Sequence, residues 1–570
     1  MIYTQDGTVD FKGNPAIKKS TGNWRACPYI LANECCERLA YYGMSTNLVN
    51  FMTDKMGMTY TAAANANTNW GGTCYATTLI GAFLADAYLG RFRTIASFVI
   101  IYIIGLGLLT MSASVKGLVP TCAAKGVCEP TAGQTAAVFV GLYLVALGTG
   151  GIKPCVSSFG ADQFDEHDDG ERRSKRQSSF FNWFYFSINI GALVASSVLV
   201  YVQERFGWGW GFGIPAVVML IAVGSFFVGT PLYRHQRARG SPLTRIAQVL
   251  VAATRKWSVA VSVDASALYE RPDRESGKME HTEQFRFLDK AAVETPANRA
   301  AGASSAWRLC TVTQVEELKS VIRLLPVWAS GIVFATVYGQ STTMFVLHGN
   351  TLDASMGPHF SIPSASLTIF DTLSVIAWVP VYDRLLVPAA RSVTGHPRGF
   401  TELQRMGIGL VVYMFSMVAA GVLELVRLRV IARHGLYGEH DVVPISIFWQ
   451  VPQYFIVGAA EVFVFVGQLE FFYDQAPDAM KSMCTALSLT TVALGNYVST
   501  LLVTVVAKVT TRGGKEGWIP DKNLNVGRLD YFFWLMTVLS VANFAVYLPI
   551  ANWYTYKKNA NEGGDDSHDQ

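Results

Sequence analysis

The chain has 570 residues, of which 46 are Lys or Arg and 42 are Asp or Glu, for a formal net charge of +4. Charged residues make up 15% and hydrophobic residues 51%, whereas an ordinary soluble domain carries roughly 25% charge, and the mean hydropathy is +0.27. So little charge excludes a soluble enzyme and a disordered chain, and the balance of signs leaves no basic excess for nucleic acid.

Residues 1–28 are polar, lack an apolar core, and are expected to form a cytosolic N-terminal segment with no cleavable signal peptide. Runs able to cross about 30 Å of hydrocarbon as helices then follow. They lie at 29–52, 71–90, 94–115, 130–152, 177–203 and 206–233. The polar stretch 234–322 interrupts them and is expected to be a cytosolic linker with helical pieces at 242–256 and 313–325. The second piece opens on Thr313 with Glu316 three residues on, the pattern of a capping box. Six further runs follow at 324–347, 363–386, 406–430, 445–472, 482–507 and 531–556, then a polar cytosolic tail, 557–570. Barrel strands are shorter and alternate in polarity. The expectation is an all-α membrane protein of twelve transmembrane helices in two six-helix halves, 29–233 and 323–556.

Lys and Arg fall mostly in the loops on one side of such a topology, for example Arg91 and Arg93 after span 2 and Lys557 and Lys558 after span 12. That side is expected to be cytosolic. Lys508, Arg512 and Lys515 dissent. Cys122 and Cys128 share an outside loop, where a disulfide and two free thiols are both open. His167 stands among Asp165, Glu166, Asp168 and Asp169; the group looks like a metal cluster, but a solvated acidic loop is the expected reading.

Charge at bilayer depth costs about 2.5–3.5 kcal/mol on insertion scales, so such residues face a polar cavity or a partner. Span 1 carries Glu34, Glu37 and Arg38 on one helix face. Two carboxylates around one guanidinium suit a proton-binding switch, because protonation releases the arginine; the alternative is a static ion-pair cluster. Lys153 on span 4 has no acid nearby in sequence and needs an anion from elsewhere, either Glu34, Glu37 or a substrate carboxylate. Glu461 and Glu470 on span 10 are nine residues apart, so they point to different sides and one is expected to pack structurally. Asp371 on span 8 faces the cavity or marks a helix terminus. Asp86, in the turn leading to Arg91 and Arg93, reads as a gate latch. Trp70, Phe334, Tyr338 and Trp378 are candidates for apolar pocket lining or for core. No nucleophile–base pair, metal spacing or cofactor motif stands at membrane depth, so no cofactor is expected.

Several motifs carry a resemblance. Glu34-x-x-Glu37-Arg38 is followed by Tyr41-Tyr42-Gly43, and 81–91 matches a loop motif of the major facilitator superfamily. The run from Phe184 through Asn189, and that from Gly467 through Glu470 to Pro477, match signatures on spans 5 and 10. With these motifs the chain resembles the proton-coupled oligopeptide transporter family of that superfamily, in the dipeptide-transporting clade of its plant nitrate-and-peptide branch. The resemblance implies the major facilitator fold, with Glu34, Glu37 and Arg38 coupling protons. It implies that Lys153 and Arg38 hold a peptide carboxylate, Asn189 and Glu470 take the amine, and Tyr41, Tyr42 and Tyr338 line the pocket. Asp86 and Arg91 would gate, while Asp371 and Phe334 stay unassigned. Two departures stand out: Thr68 replaces a span 2 histidine of the mammalian branch, and Tyr338 replaces a nitrate-recognising histidine of some plant relatives.

The implied function is proton-coupled symport of di- and tripeptides by alternating access. The alternatives are a nitrate, organic-acid or hormone transporter, which would not need Glu470, and a receptor that binds without flux. The expected partners are the peptide, protons and the lipid bilayer; monomer and dimer are both open. A plasma-membrane location is expected, with the vacuolar membrane as the alternative.

Overall fold

The computed structural model describes residues 3–4, 8–124, 127–164, 170–236, 242–261, 268–270, 279–295, 305–395, 399–477, 480–511 and 516–556. The acidic loop around His167 and the tail 557–570 lie outside them. Twelve helices make up the two halves among the described residues: α1 Cys27–Ser45, α2 Tyr60–Leu84, α3 Arg91–Ser114, α4 Ala132–Ala161, α5 Gly170–Val194, α6 Trp208–Val228, α7 Val312–Tyr338, α8 Ile369–Val381, α9 Glu402–His434, α10 Val451–Asp474, α11 Lys481–Thr510 and α12 Leu529–Trp553. Ten of these regions are long and apolar enough to cross a membrane. The other two, α1 and α2, are more polar, as helices lining an aqueous interior must be, and with them the count is consistent with twelve spans.

The helices gather in two halves. In the first, α4 lies along α3 and α2, and α1 packs on α5 and α6; in the second, α9 lies along α10 and α12, α7 along α11, and α8 on α10. Each half closes over its own apolar core, built on residues such as Trp70, Tyr102 and Phe159 in the first and Phe345, Tyr413 and Phe533 in the second. Small residues permit the closest approach: at Gly81 the carbonyl of Gly150 on α4 leaves no room for a Cβ.

The halves meet along α2 with α11 and along α5 with α8. On the face opposite the linker, hereafter the far face, polar side chains bridge them. Asn65 donates to Thr504 over 2.8 Å, Asn350 to Asn50 over 2.8 Å, and Asn67 to the Thr342 carbonyl over 3.2 Å. The hydroxyls of Thr68 and Thr500 are 2.6 Å apart, Thr500 also donates to Asn69, and Arg205 donates to Ser361 over 3.0 Å. Cys122 and Cys128 form a disulfide on this face.

On the linker face, helix Pro242–Arg255 buries Val249, Ala252 and Ala253 against Leu288, Ala291 and Leu318, and Arg245 pairs with Glu317 at 3.0 Å. The helix expected from Thr313 begins earlier, as part of α7. Thr311 is its N-cap and Gln314 completes the box. Thr313 instead donates to Glu270, and Glu316 binds Lys319 at 2.8 Å. His281, Asp289 and Glu316 converge there, but the Lys319 ammonium, 2.7 Å from Asp289, and the Arg323 guanidinium, 3.3 Å from Glu316, already balance the two carboxylates. The N-terminal segment is tied down by Arg234, whose guanidinium donates to the carbonyls of Thr21 and Gln163.

Candidate functional site

A cavity of about 2230 Å³ lies between the halves. It reaches the linker face, where Asp86, Gln236, Arg245, Asp383 and Asp474 line it, and the far-face bridges stand at its other end. The structure thus holds the linker-open arrangement of a two-sided gate.

The first half contributes cations. Arg38 lines the cavity, with its Nε 2.7 Å from Glu34 and 3.3 Å from Glu37. The i, i+4 relation of Glu34 and Arg38 on α1 makes the closer pair. Both acids are fully buried behind the arginine. Lys153 also lines the cavity, but its ammonium makes no hydrogen bond to protein. It lies over the rings of Tyr41 and Tyr75, 3.5 and 3.9 Å from their centroids. Of the anions expected for Lys153, neither Glu34 nor Glu37 pairs with it; aromatic faces hold it instead. Tyr75, on α2, escaped sequence reasoning because a lone tyrosine in an apolar run carries no charge signal. Tyr41 stacks on Trp70 at 5.5 Å, and Tyr42 stands edge-on to Tyr41.

The second half contributes carboxylates. Asp371, Glu461 and Glu470 all line the cavity. The expectation that either Glu461 or Glu470 packs structurally is therefore corrected: α10 borders the cavity over a long stretch, and near its end Glu470 is 48% exposed. Tyr338 donates to Glu461 over 3.3 Å. Glu461 and Asp371 lie within electrostatic reach of one another, and neither has a cationic partner among the described residues. Glu470 does have one: the Arg405 guanidinium, 2.8 Å away, which also donates to the Val462 carbonyl and lies over Tyr382. Arg405 was missed because it reads as one more loop arginine. In the structure it occupies the first turn of α9 and is 6% exposed.

Asn189 lines the cavity, with its amide donated to the Tyr185 carbonyl of its own helix. Asp371 is thus a cavity residue, whereas Phe334 is core, 3% exposed behind Tyr338. Trp70 and Trp378 do not line the cavity either. At the expected gate, Arg91 pairs with Asp162 at the end of α4, 2.5 Å away. Asp86 stands in the π-helical turn Ala85–Leu89 beside the pair and lines the cavity mouth.

Residues 92–519 match the family model described as PTR2: POT family. Protein NRT1/PTR FAMILY 8.2 of Arabidopsis thaliana is 64% identical over 563 residues, 98% of either chain. Protein NRT1/PTR FAMILY 8.1 of the same plant is 63% identical, again over 98% of both. Among solved structures, an auto inhibited POT family peptide transporter shares the fold with a TM-score of 0.68 at 22% identity, covering 94% of this chain and 98% of that one. The POT family transporter PepTSo does so with a TM-score of 0.67 at 24% identity, covering 93% and 98%. With its two helical halves, their shared charged cavity and these likenesses, the chain belongs to the POT family: it is a multi-pass integral membrane transporter, not an enzyme.

Proposed function

We propose that this chain is a proton-coupled symporter of di- and tripeptides working by alternating access, with the linker face in the cytosol of a plasma-membrane protein. The observation that supports it most is the division of charge across the cavity. The first half offers Lys153 with no carboxylate on it, and the second offers Glu461 and Asp371 with no cation on them. A zwitterionic peptide needs a cation at its carboxylate end and an anion at its amine end. Each terminus then neutralises a buried group, which a lone anion such as nitrate would do at one wall only. Within this reading Lys153, with Arg38, takes the carboxylate. Glu461 and Asp371 take the amine in place of Glu470, which Arg405 already holds, while Asn189, Tyr41, Tyr42 and Tyr338 line the space between.

Glu34, Glu37 and Arg38 would couple the proton: with one acid protonated, the guanidinium keeps one carboxylate partner and turns its remaining donors to the cavity. Binding to both walls draws the halves together and links occupancy to rocking about the α2–α11 and α5–α8 contacts. The test is uptake of a labelled dipeptide into proteoliposomes. Uptake should rise with an inward proton gradient, collapse with a protonophore, and be competed by unlabelled dipeptide but not by nitrate. Nitrate competition unaffected by Glu461→Gln would overturn the peptide reading.

A further inference from the structure

Glu34 and Glu37 do not line the cavity; only Arg38 of the three does. Behind the arginine is a set of polar groups with no place in the account so far. Asn33 is fully buried, and neither its amide nitrogen nor its oxygen has a hydrogen-bond partner in the protein. Tyr102 on α3 is fully buried, and its hydroxyl has none. Neither Glu37 oxygen has a hydrogen bond, although one stands 3.3 Å from Arg38, and Glu34 leaves Oε2 without one. Asn33 and Glu37 are four residues apart on α1 and so share a face. Tyr102, on α3, has Glu37 as its foremost electrostatic neighbour, followed by Cys74 and Arg38.

An orphaned buried amide or hydroxyl is costly to leave unpaired. Neighbouring orphans of this kind suit a shared small polar ligand, because a buried water takes roughly three hydrogen bonds from such groups. We propose that Asn33, Glu37 and Tyr102 form a water-holding pocket behind the substrate cavity, in which Asn33 and Tyr102 position the proton that Glu37 carries. The tyrosine hydroxyl and the amide can each donate or accept. They can therefore follow Glu37 from acceptor, when ionised, to donor, when protonated, without moving the backbone. Among the described residues, the other titratable or charged groups facing this place are Glu34, Cys35, Arg38 and Tyr42 on α1, Cys74 and Tyr75 on α2, and Lys153 on α4. α6, packed on α1, contributes none. Asn33 and Tyr102 are positioning residues: they do not touch the peptide and act through Glu37.

This rests on the proton-coupled peptide reading, and the test separates the two. Full-length protein in liposomes is assayed for proton-driven dipeptide uptake across a pH series, and for exchange of labelled for unlabelled dipeptide at equal pH, which requires no net proton transfer. Tyr102→Phe removes one oxygen, and Asn33→Leu keeps the branched shape while removing both polar atoms. Each is expected to move the half-maximal pH of driven uptake by about half a unit or more, with exchange within about twofold of wild type, since a group acting only through the proton step leaves exchange intact. A wild-type pH profile in both variants would overturn the pocket, as would an equal loss of driven uptake and exchange at every pH in both. If the wild-type protein showed no proton-driven dipeptide uptake, the parent reading would fail instead.

Discussion

Arg405 and Glu470 meet over 2.8 Å at the linker end of the second half, between the first turn of α9 and the last turn of α10. Arg91 and Asp162 meet in the same way in the first half, between the start of α3 and the end of α4. In both halves a π-helical turn carrying an aspartate precedes the arginine: Ala85–Leu89 with Asp86, and Tyr382–Leu386 with Asp383. The two pairs hold matching helix positions in their halves, and on the proposed reading this places Glu470 at the gate. Exchanging Glu470 for Gln should therefore change the turnover of dipeptide uptake while leaving KM within about twofold, whereas Glu461→Gln should raise KM about tenfold or more through loss of a charge-assisted bond. Uptake kinetics of the two variants side by side decide the matter; the reverse pattern would return the amine to Glu470.

Lys153→Ala should raise KM for dipeptides by roughly 10- to 100-fold, the range expected for losing a charge-assisted hydrogen bond to the peptide carboxylate. A dipeptide whose C-terminus is an amide should be affected far less. Competition assays with the two ligands measure this directly, and equal losses would contradict a carboxylate role for Lys153.

Arg91→Asp and Asp162→Arg should each lower uptake severalfold by placing like charges together at the cavity mouth. The double exchange should recover part of the loss, because it restores opposite charges at contact distance. A double-mutant cycle on uptake rate is the measurement; additive losses would show that the pair does not gate.

Outside the spans, burial holds the His235 imidazole below its ordinary value, where the segment from Val9 is hydrogen-bonded to its backbone. The folded state therefore resists its protonation. At neutral pH both folded and unfolded forms are uncharged and nothing is lost. As pH falls below about 6.5 the unfolded form gains its proton first, and stability declines until the folded value is reached. Once divided by the intrinsic rate, which itself falls with pH, amide exchange should show the N-terminal segment less protected at pH about 5 than at pH about 7, and His235→Gln should flatten that difference.

The Cys122–Cys128 disulfide closes a loop of sequence separation 6. By loop entropy it contributes on the order of 2 kcal/mol, so Cys122→Ser with Cys128→Ser should lower the Tm by a few degrees. After mild reduction, a membrane-impermeant thiol reagent should label these cysteines from the side opposite the linker. Labelling from the cytosolic side would reverse the proposed orientation.

Hydropathy made the spans legible, because a run of some 20 apolar residues has few alternatives in a chain this poor in charge. It also singled out Glu34, Glu37, Arg38 and Lys153, since charge at that depth is conspicuous. Pairing was not legible: Arg405 lies 65 residues from Glu470, and only the packing of α9 on α10 joins them. The side of α10 that Glu461 and Glu470 occupy misled for a related reason. A helical wheel assumes one wet face, but near the mouth of the cavity solvent reaches around the helix. The start of α7 shifted from Thr313 to Thr311 because two overlapping cap patterns compete there, and Glu270 takes Thr313 for itself.

The far-face closure has an electrical consequence. Its bridges join Asn65, Asn67, Asn350, Thr68 and Thr500, uncharged groups for which water is a ready substitute, and one cation, Arg205, whose partner Ser361 is neutral. Parting them separates no ion pair, so that opening step should feel little of the membrane potential, and voltage should act on the cycle through the titrating acids and the cations at its centre.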